Sequence, residues 1–319
     1  MIFLQLQKRK FKDISDSNIE AQLLEKMTSK TPIELVKESQ PFRFGNYDKY
    51  YSFRYKDRFQ DSRLHILNKD YFLNKDCLDI GCNDGSLTIM LAIKYFPKSM
   101  LGIDIDFKLI NKAIDNLQFF EKQQNQTKPH FEEEAKLDEM RKIYEKLKEF
   151  PQSFQLNLSV PNQLLGNSEI IKETKEKEEN KNETKILNRF PNNISFRIEN
   201  FIQAMKNNEK FDTITCFSLS KWVHLNWGDT GIKRLFQKVY DSLNENGVFI
   251  FEPQEWKAYK KKKCINEDFK KIYKLIKLRP KDFVLFLEQE LRFKLIDTLI
   301  PDLNLKHKGF KRPIYIYKK

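Results

Sequence analysis

Glycine is scarce in this chain: only nine glycines occur among 319 residues, whereas average usage of about 7% predicts roughly 22. A chain this poor in glycine should retain the residue mainly where the backbone geometry demands it. Gly81 and Gly85 lie four residues apart in the stretch LDIGCNDG (78–85). The scarcity therefore makes this stretch the first candidate for a functional turn.

Cysteine and long apolar runs are also lacking, and their absence argues against several classes of protein. The four cysteines form no CxxC pair and no ligand pattern with histidine, so we expect neither a disulfide framework nor a metal site. No apolar run reaches 18 residues, so we expect no transmembrane span and no membrane partner. The opening MIFLQLQKRK is not typical of a secretory signal. We therefore expect an intracellular protein.

The chain is strongly basic, but its charge is unevenly distributed. It carries 58 Lys and Arg against 45 Asp and Glu, a net charge of +13. The stretch 121–189 has 14 acidic and 13 basic residues, so the rest of the chain carries +14. The earlier part of this stretch shows helical spacing, whereas its end has almost no apolar residues and should not fold alone. We interpret 121–190 as a charged helical and disordered insertion within a domain over 41–319, preceded by an N-terminal extension over 1–40.

Apolar patterns of strand type and helix type alternate along the domain. The predicted strands are 76–82, 99–106, 194–199, 210–219, 247–253 and the closing segments RFKLIDTLI and PIYIYKK; helices are predicted at 86–96, 107–120, 230–247 and near 266–289. Strands that alternate with helices predict an α/β fold, here a mostly parallel seven-stranded sheet with helices on both faces. The two closing strands have no helix between them, which predicts an antiparallel last strand.

The stretch LDIGCNDG lies between a predicted strand and a predicted helix, where open α/β sheets bind ligands. Gly81 lets the backbone approach a ligand, and Asp104, at the end of the next strand, can accept both hydroxyls of a ribose. A dinucleotide site would need GxGxxG, but Asn83 stands where the middle glycine would be. The spacing D-x-G-x-x-x-G is instead typical of class I (Rossmann-like) S-adenosylmethionine methyltransferases. The alternative is a plain strand–turn–helix with aspartates that cap helices.

Two clusters near this turn combine aromatic and basic residues. The segment 42–67 contains four tyrosines and four arginines, and SLSKWVHLNWGD (218–229) follows the fourth predicted strand into a loop. Aromatic platforms interleaved with Lys and Arg suit unpaired bases and phosphates. The alternative interpretation of the segment 42–67 is an amphipathic helix with its tyrosines in the core. The alternative for His224 is a histidine that is hydrogen-bonded in the core. Lys260–Lys263 form a solvated face, act as a nuclear localisation signal or contact an RNA backbone.

Seven short blocks carry a resemblance to a known family. In chain order they are FGNYDKYY, DSRLHIL, LDIGCNDG, GIDID, LSKWVHLNWGD, FEPQEW and KGFKRPIY. In this order they resemble the methylphosphate capping enzymes of bicoid-interacting-protein type, over about 42–319 apart from the insertion. The resemblance departs mildly at Ser220, where the family usually has threonine. It implies transfer of a methyl group from S-adenosylmethionine to the 5′ terminal (gamma) phosphate of a small non-coding RNA.

The resemblance also implies roles for individual residues. It implies cofactor contacts at Tyr50, Arg63, Gly81, Cys82, Asn83, Asp104, Ile105, Asn200, Phe201 and Leu219. As catalytic residues we expect Lys221 and His224, which would grip the phosphate, and Tyr50, which would close over cofactor and substrate together with Arg63. We expect RNA contacts from Lys221, Trp222, Asn226 and Trp227, with Trp222 stacked on the first base.

The partner that the resemblance implies is a small RNA of the RNA polymerase III type, such as 7SK or U6. La-related ribonucleoprotein subunits and a nuclear location are further expectations, and a triphosphate or a monophosphate end is left open. A function of another class also stays open: a non-catalytic RNA-binding subunit of a small ribonucleoprotein, 7SK-like or telomerase-like, that keeps this fold. A methyltransferase acting on a small molecule or a protein is the third interpretation.

Overall fold

The structure of the protein is a computed structural model that describes residues 29–39, 41–47, 61–127, 189–203, 209–300 and 312–319, with Gln22 and Glu25 besides. Of 123–127 only the backbone is described. The predictions that lie outside the described residues concern Tyr50 and the other side chains of 48–60, most of the extension over 1–28, and 128–188 of the insertion.

Seven strands form one sheet. They are β1 (Asp76–Ile80), β2 (Ser99–Asp104), β3 (Ile194–Ile198), β4 (Phe211–Phe217), β5 (Leu243–Glu252), β6 (Lys294–Leu299) and β7 (Ile314–Lys318). The order across the sheet is β3-β2-β1-β4-β5-β7-β6. Strands β1 to β5 pair in parallel, whereas β7 runs antiparallel to both β5 and β6. The predicted fold class and the antiparallel last strand are confirmed.

Eight helices connect or flank the strands in the described part of the chain. They are α1 (Pro32–Lys37), α2 (Arg63–Ile66), α3 (Ser86–Tyr95), α4 (Phe107–Thr127), α5 (Ser220–Ser242), α6 (Trp256–Lys262), α7 (Glu267–Leu275) and α8 (Phe283–Gln289). Helix α4 extends beyond residue 120 into the predicted insertion. Helix α5 ends at Ser242 and β5 starts at once, so the predicted boundary at 247 was too late.

The stretch after β4 is the largest departure from the predicted elements, because it is helical rather than a loop. Helix α5 begins at Ser220, and Gly228 interrupts it with φ 62° and ψ −160°. No glycine or proline stands between Ser220 and Gly228 to prevent a helix. The Gln254 side chain accepts the backbone N–H of Lys221 at 2.9 Å, which satisfies one of the unpaired donors at the helix start.

Side chains at successive strand positions enter two cores on opposite faces of the sheet. Leu78 and Ile80 of β1 pack on one face with Phe236 of α5. Cys77 packs on the other face with Leu91 of α3. Helices therefore cover both faces, as predicted, and the carboxyl ends of β1, β2 and β4 meet at one edge of the sheet.

The end of the N-terminal extension packs on the domain. Leu35 of α1 is buried and belongs to the same core as Leu78. The amide of Gln203 donates to the carbonyl of Lys30. The packed part of the chain therefore starts before residue 41. Among the described residues, no helix has the length and apolar character to cross a bilayer, and no cluster of His, Cys, Asp and Glu could hold a metal ion.

Candidate cofactor and substrate cleft

A cleft opens at the carboxyl ends of β1, β2 and β4, where the strand order reverses about β1. This is the switch point at which open α/β sheets bind ligands. One part of the cleft, of about 490 Å³, is lined by Asn200 and is called here the Asn200 half. The other part, of about 410 Å³, is lined by Ser218 and is called the Ser218 half. Both halves share the walls formed by Phe44, Gly81, Asp104, Leu219 and Trp222.

The β1–α3 turn forms the floor of the cleft. Gly81 has φ 77°, and a Cβ at this position would lie 3.0 Å from Cδ1 of Leu219. Both the positive φ and the close approach therefore require glycine here. The N–H of Gly81 donates to the carbonyl of Ile103 at 2.8 Å, which fixes the turn against the end of β2.

The Asp104 carboxylate borders both halves of the cleft and is held by two backbone amides. Its Oδ2 accepts the N–H of Asn83 at 3.0 Å, and its Oδ1 accepts the N–H of Asp106 at 2.9 Å. Each oxygen keeps acceptor capacity for a ligand, because a carboxylate oxygen can accept two hydrogen bonds. Burial raises the pKa of this carboxyl to about 6, and the two amide N–H groups offset the effect only in part.

Four buried polar atoms on residues that line the cleft have no hydrogen-bond partner among the described residues. They are Oδ1 of Asn46, Oδ1 of Asn83, Nδ2 of Asn200 and Nε1 of Trp227. An unsatisfied buried polar group costs about 1–3 kcal/mol, so these atoms indicate a polar ligand. S-Adenosylmethionine presents ribose hydroxyls, ring nitrogens, an ammonium and a carboxylate. The lining, with both donors and acceptors beside Asp104, fits this cofactor.

Most of the residues predicted to contact the cofactor line the cleft. Those that do are Gly81, Asn83, Asp104, Ile105, Asn200, Phe201 and Leu219. Cys82 does not: its side chain is buried, and burial raises the pKa of its thiol well above the usual range. Arg63 does not line the cleft either, for a reason given below.

Trp222 stands between the two halves of the cleft and packs against the segment 41–47. A Cβ on Gly45, which has φ 76°, would lie 2.3 Å from Nε1 of Trp222. On the same indole, Nζ of Lys221 lies 4.3 Å from the ring centroid, and the Tyr47 ring lies 5.8 Å away. Trp222 is only 6% exposed, so this arrangement does not offer a whole face of the ring to a base.

His224 is a core histidine in this structure, which was the alternative interpretation of the sequence. Its Nε2 lies 2.8 Å from Oδ1 of Asp229, and its Nδ1 lies 3.3 Å from the hydroxyl of Tyr259. The imidazole is fully buried. Burial lowers its pKa, and the Asp229 carboxylate offsets part of that effect. Because both nitrogens contact protein groups, the expected grip of His224 on a phosphate has no support in this arrangement.

Asn226 and Trp227 were expected to contact RNA, and both are buried. The Asn226 amide donates to the carbonyls of Arg43 and Trp222, at 3.0 and 2.8 Å, and its Oδ1 accepts Nε of Arg43 at 2.8 Å. Its bonds therefore anchor the segment 41–47 on α5 and are not directed at a ligand. Trp227 lines the Asn200 half, on the side of the predicted cofactor contacts.

A buried charge network lies behind the Ser218 half. Arg63 pairs with Asp61 at 2.6 Å and with Glu252 at 3.4 Å, and Arg312 pairs with Glu252 at 2.8 Å. The Ser218 hydroxyl joins the network by donating to Glu252 at 3.1 Å. Arg63 is only 1% exposed, which is why it does not reach the cleft. Sequence reasoning missed Glu252 and Arg312, although the blocks FEPQEW and KGFKRPIY contain them.

The chain matches known families along most of its length. The family model for bicoid-interacting protein 3 matches residues 211–319, and a methyltransferase-domain model matches 50–263. A probable RNA methyltransferase of Arabidopsis thaliana is 37% identical over 285 residues, which cover 89% of this chain and 82% of that protein. A solved structure, N-methyltransferase NodS of Bradyrhizobium japonicum, is a distant likeness with 11% identity and a TM-score of 0.42, over 85% of this chain and 99% of that one.

Two relatives carry more specific names. The 7SK snRNA methylphosphate capping enzyme of Homo sapiens is 32% identical over 89% of this chain, but the chain spans only 40% of the length of that protein. The U6 snRNA methylphosphate capping enzyme Amus of Drosophila melanogaster is 31% identical over 87% of this chain and 75% of that protein. The chain therefore belongs to the methylphosphate capping enzyme family of bicoid-interacting-protein type.

Proposed function

We propose that this protein transfers a methyl group from S-adenosylmethionine to the 5′ terminal (gamma) phosphate of a small non-coding RNA. The observation that carries the proposal is the two-part cleft, which Asp104 borders on both sides and whose lining holds unpaired amide atoms of Asn46, Asn83 and Asn200. The relatives named for 7SK and U6 snRNA support the substrate class.

S-Adenosylmethionine supplies a methyl group on a positively charged sulfur when it is bound. In this chain Asp104 accepts the ribose hydroxyls, and Asn200 with Phe201 holds the adenine end. The unpaired acceptor atoms of Asn46 and Asn83 suit the ammonium of the cofactor. Gly81 carries no side chain that would crowd Leu219 at the floor of the cleft, so the backbone of the β1–α3 turn could lie against the ligand.

The chemistry needs no strong general base. A terminal phosphate oxygen is already anionic near neutral pH, so the protein has only to hold that oxygen in line and exclude water. Phe44 and Trp222 supply apolar walls shared by both halves of the cleft. Lys221, at the start of α5 and against the Trp222 ring, is the predicted residue that holds the phosphate. The protein should neutralise the charge of the phosphate only in part, because a fully neutralised phosphate oxygen would be a poorer nucleophile.

The proposal also covers the type of RNA, the location in the cell and the protein partners. A small nuclear RNA made by RNA polymerase III would place the protein in the nucleus, as the snRNA-modifying relatives suggest. An association with La-related subunits is a prediction that rests on the family resemblance alone.

The test is to incubate the protein with tritiated S-adenosylmethionine and total small RNA. Label that a 5′ pyrophosphohydrolase releases from the RNA lies on the terminal phosphate of a triphosphate end, whereas label that stays lies on a base, on a ribose or on a 5′ monophosphate. We expect release, and we expect no label on RNA whose 5′ end has been converted to a hydroxyl. A Gly81→Arg protein, which fills the space over the turn, is the matched control and should give no label.

Two results would contradict the proposal. Label that resists the pyrophosphohydrolase and also appears on RNA with a 5′ hydroxyl would indicate methylation elsewhere on the RNA. Tight RNA binding without any label would favour the non-catalytic RNA-binding subunit, a function that the exposed Lys260 and Lys261 of α6 would also serve.

A further inference from the structure

The unpaired buried polar atoms of the cleft are divided by their chemistry between its two halves. Among the described residues that line the Asn200 half, the unpaired atoms are both donors, Nδ2 of Asn200 and Nε1 of Trp227. Among those that line the Ser218 half, they are both acceptors, Oδ1 of Asn46 and Oδ1 of Asn83. A ligand that spans the cleft is therefore expected to present acceptors at one end and donors at the other.

Two of these amides are oriented by contacts within the protein. The backbone N–H of Ile202 donates to Oδ1 of Asn200 at 3.3 Å, so the amide nitrogen of Asn200 is the group left for a ligand. The amide nitrogen of Asn46 donates to Oδ2 of Asp106 at 2.6 Å. A carboxylate accepts and does not donate when it is ionised, so Oδ1 of Asn46 is the group left on the other side.

S-Adenosylmethionine has this polarity along its length. The ring nitrogens N1, N3 and N7 of adenine only accept hydrogen bonds, whereas the ammonium at the methionine end only donates them. With the ribose at Asp104, which borders both halves, the adenine falls in the half with the unpaired donors. The ammonium falls in the half with the unpaired acceptors.

Trp227 lies on the face of α5 that forms a wall of the Asn200 half. Val223 and Trp227 are four residues apart, a spacing that places them on one face of a helix, and both line this half. Trp227 is only 3% exposed. Its Nε1–H is the one polar group of the side chain and can only donate. An acceptor in the Asn200 half is therefore what the indole lacks.

The packing around Trp227 holds the indole in place. The Phe44 ring stacks on it, with ring centroids 6.0 Å apart and planes at 28°. One turn further along α5, a Cβ on Gly231 would lie 2.3 Å from Cβ of Trp227, so a larger residue there would displace the tryptophan. A donor that is fixed in advance loses little freedom when it binds a ligand, which favours affinity.

We propose that Trp227 donates its indole N–H to one ring nitrogen of the adenine of S-adenosylmethionine, while Asn200 donates to another. The pair then selects a base whose ring nitrogens carry no proton. The inference rests on the cofactor of the proposed function and needs no assumption about the RNA. It gives Trp227, which the sequence analysis assigned to RNA, the cofactor as its partner.

The test measures binding of S-adenosylhomocysteine and of its 1-deaza, 3-deaza and 7-deaza analogues by calorimetry, without RNA. Each analogue has C–H in place of one ring nitrogen, so wild-type protein should bind two of them about 5- to 150-fold more weakly, the range for a buried group left unpaired. Trp227→Phe should bind S-adenosylhomocysteine more weakly by a similar factor. It should match wild type for one analogue, the one that lacks the nitrogen contacted by the indole.

Trp256→Phe is the matched control, because Trp256 stacks on Tyr273 in α7 and is not among the residues that line the cleft. It should bind all four ligands as wild type does. Thermal unfolding shows whether each variant is folded.

Three results overturn the inference. The first is wild-type affinity for S-adenosylhomocysteine in a folded Trp227→Phe protein. The second is an equal loss for S-adenosylhomocysteine and all three analogues in that variant, since the indole would then serve only packing. If Trp227→Phe does not fold, the third is a wild-type protein that loses affinity for fewer than two analogues. A wild-type protein that binds neither S-adenosylmethionine nor S-adenosylhomocysteine overturns the proposed function as well, whereas cofactor binding without methyl transfer to RNA counts against the proposed function alone.

Discussion

The carboxylate of Asp104 and the backbone N–H of Asn83 are joined by a 3.0 Å hydrogen bond that ties the end of β2 to the β1–α3 turn. The bond orients the carboxylate at the border of the two halves of the cleft. It also holds Asn83 in the left-handed region, with φ 55°. The acceptor expected for the ribose and the turn expected to carry the cofactor are therefore one rigid unit.

Replacing Asp104 with alanine should weaken S-adenosylmethionine binding by about 1.5–3 kcal/mol, because a charged acceptor of two ribose hydroxyls is lost. Isothermal titration calorimetry measures this loss. Asp115→Ala, which removes an exposed carboxylate of α4, is the matched control and should bind as wild type does. Wild-type affinity in the Asp104→Ala protein would show that the ribose lies elsewhere.

The pH dependence of cofactor binding should report the pKa of Asp104. An ordinary aspartate, at 3.8, stays ionised down to pH 4, but burial raises the pKa of this carboxyl to about 6. The ionised form is the acceptor, so affinity should be constant above pH 7 and fall by roughly tenfold per unit below pH 6. Calorimetry between pH 5 and pH 8 tests this on the protein without RNA. The Asp104→Asn protein should lose the dependence, and its persistence there would assign it to another group.

The sequence was sufficient to predict the fold and the convergence at the cleft of most residues expected to contact the cofactor, because both depend on local patterns. Gly81 and Asp104 each follow a buried strand, and the ends of neighbouring parallel strands meet by necessity. The residues expected to contact the substrate were harder to predict from the sequence. Trp222 and Asn226 look like exposed RNA-binding residues in a loop, but the helix that contains them buries them under the segment 41–47. Part of what buries them lies more than 170 positions away in sequence, as the Arg43–Asn226 contact shows.

The charge network illustrates the same limit. Arg63 and Arg312 stand at opposite ends of the domain, and only the pairing of β5 with β7 brings Arg312 to Glu252. No spacing rule predicts such a pair from sequence. The motif FEPQEW signals that Glu252 matters, but not that it neutralises two arginines.

His224→Ala should destabilise the protein more than it alters the chemistry. Removing the buried ring leaves a cavity and takes away the partner of Oδ1 of Asp229, whose Oδ2 keeps the amides of Lys277 and Leu278; the loss should cost about 3 kcal/mol or more. The pKa of His224 in the folded protein lies below its usual 6.5. As the pH falls, the unfolded chain therefore protonates this histidine before the folded protein does. Its contribution to stability is thus present above pH 6.5 and declines as the pH falls below it. Denaturant unfolding at pH 5.5 and pH 7.5 measures both effects.

Tyr259→Phe is the control for this prediction, since it removes only the hydroxyl that contacts Nδ1 of His224. It should cost about 1 kcal/mol and leave the pH dependence in place. A stable His224→Ala protein that binds RNA and cofactor but transfers no methyl group would restore a direct catalytic role to His224.

Lys221 and the lysines of α6 should separate methyl transfer from RNA affinity. Nζ of Lys221 lies 4.3 Å from the ring centroid of Trp222, which lines the cleft, so Lys221→Ala should slow single-turnover methylation about 10- to 150-fold, with only a modest loss of RNA affinity. Lys260 and Lys261 are exposed in the last turn of α6. Their double replacement by alanine should weaken binding of any RNA and reduce the log–log salt slope by roughly 0.7 per lost contact. Both variants are measured on one RNA, by salt-titrated binding and by methylation at saturating RNA. A wild-type rate in the Lys221→Ala protein would exclude Lys221 from the phosphate site.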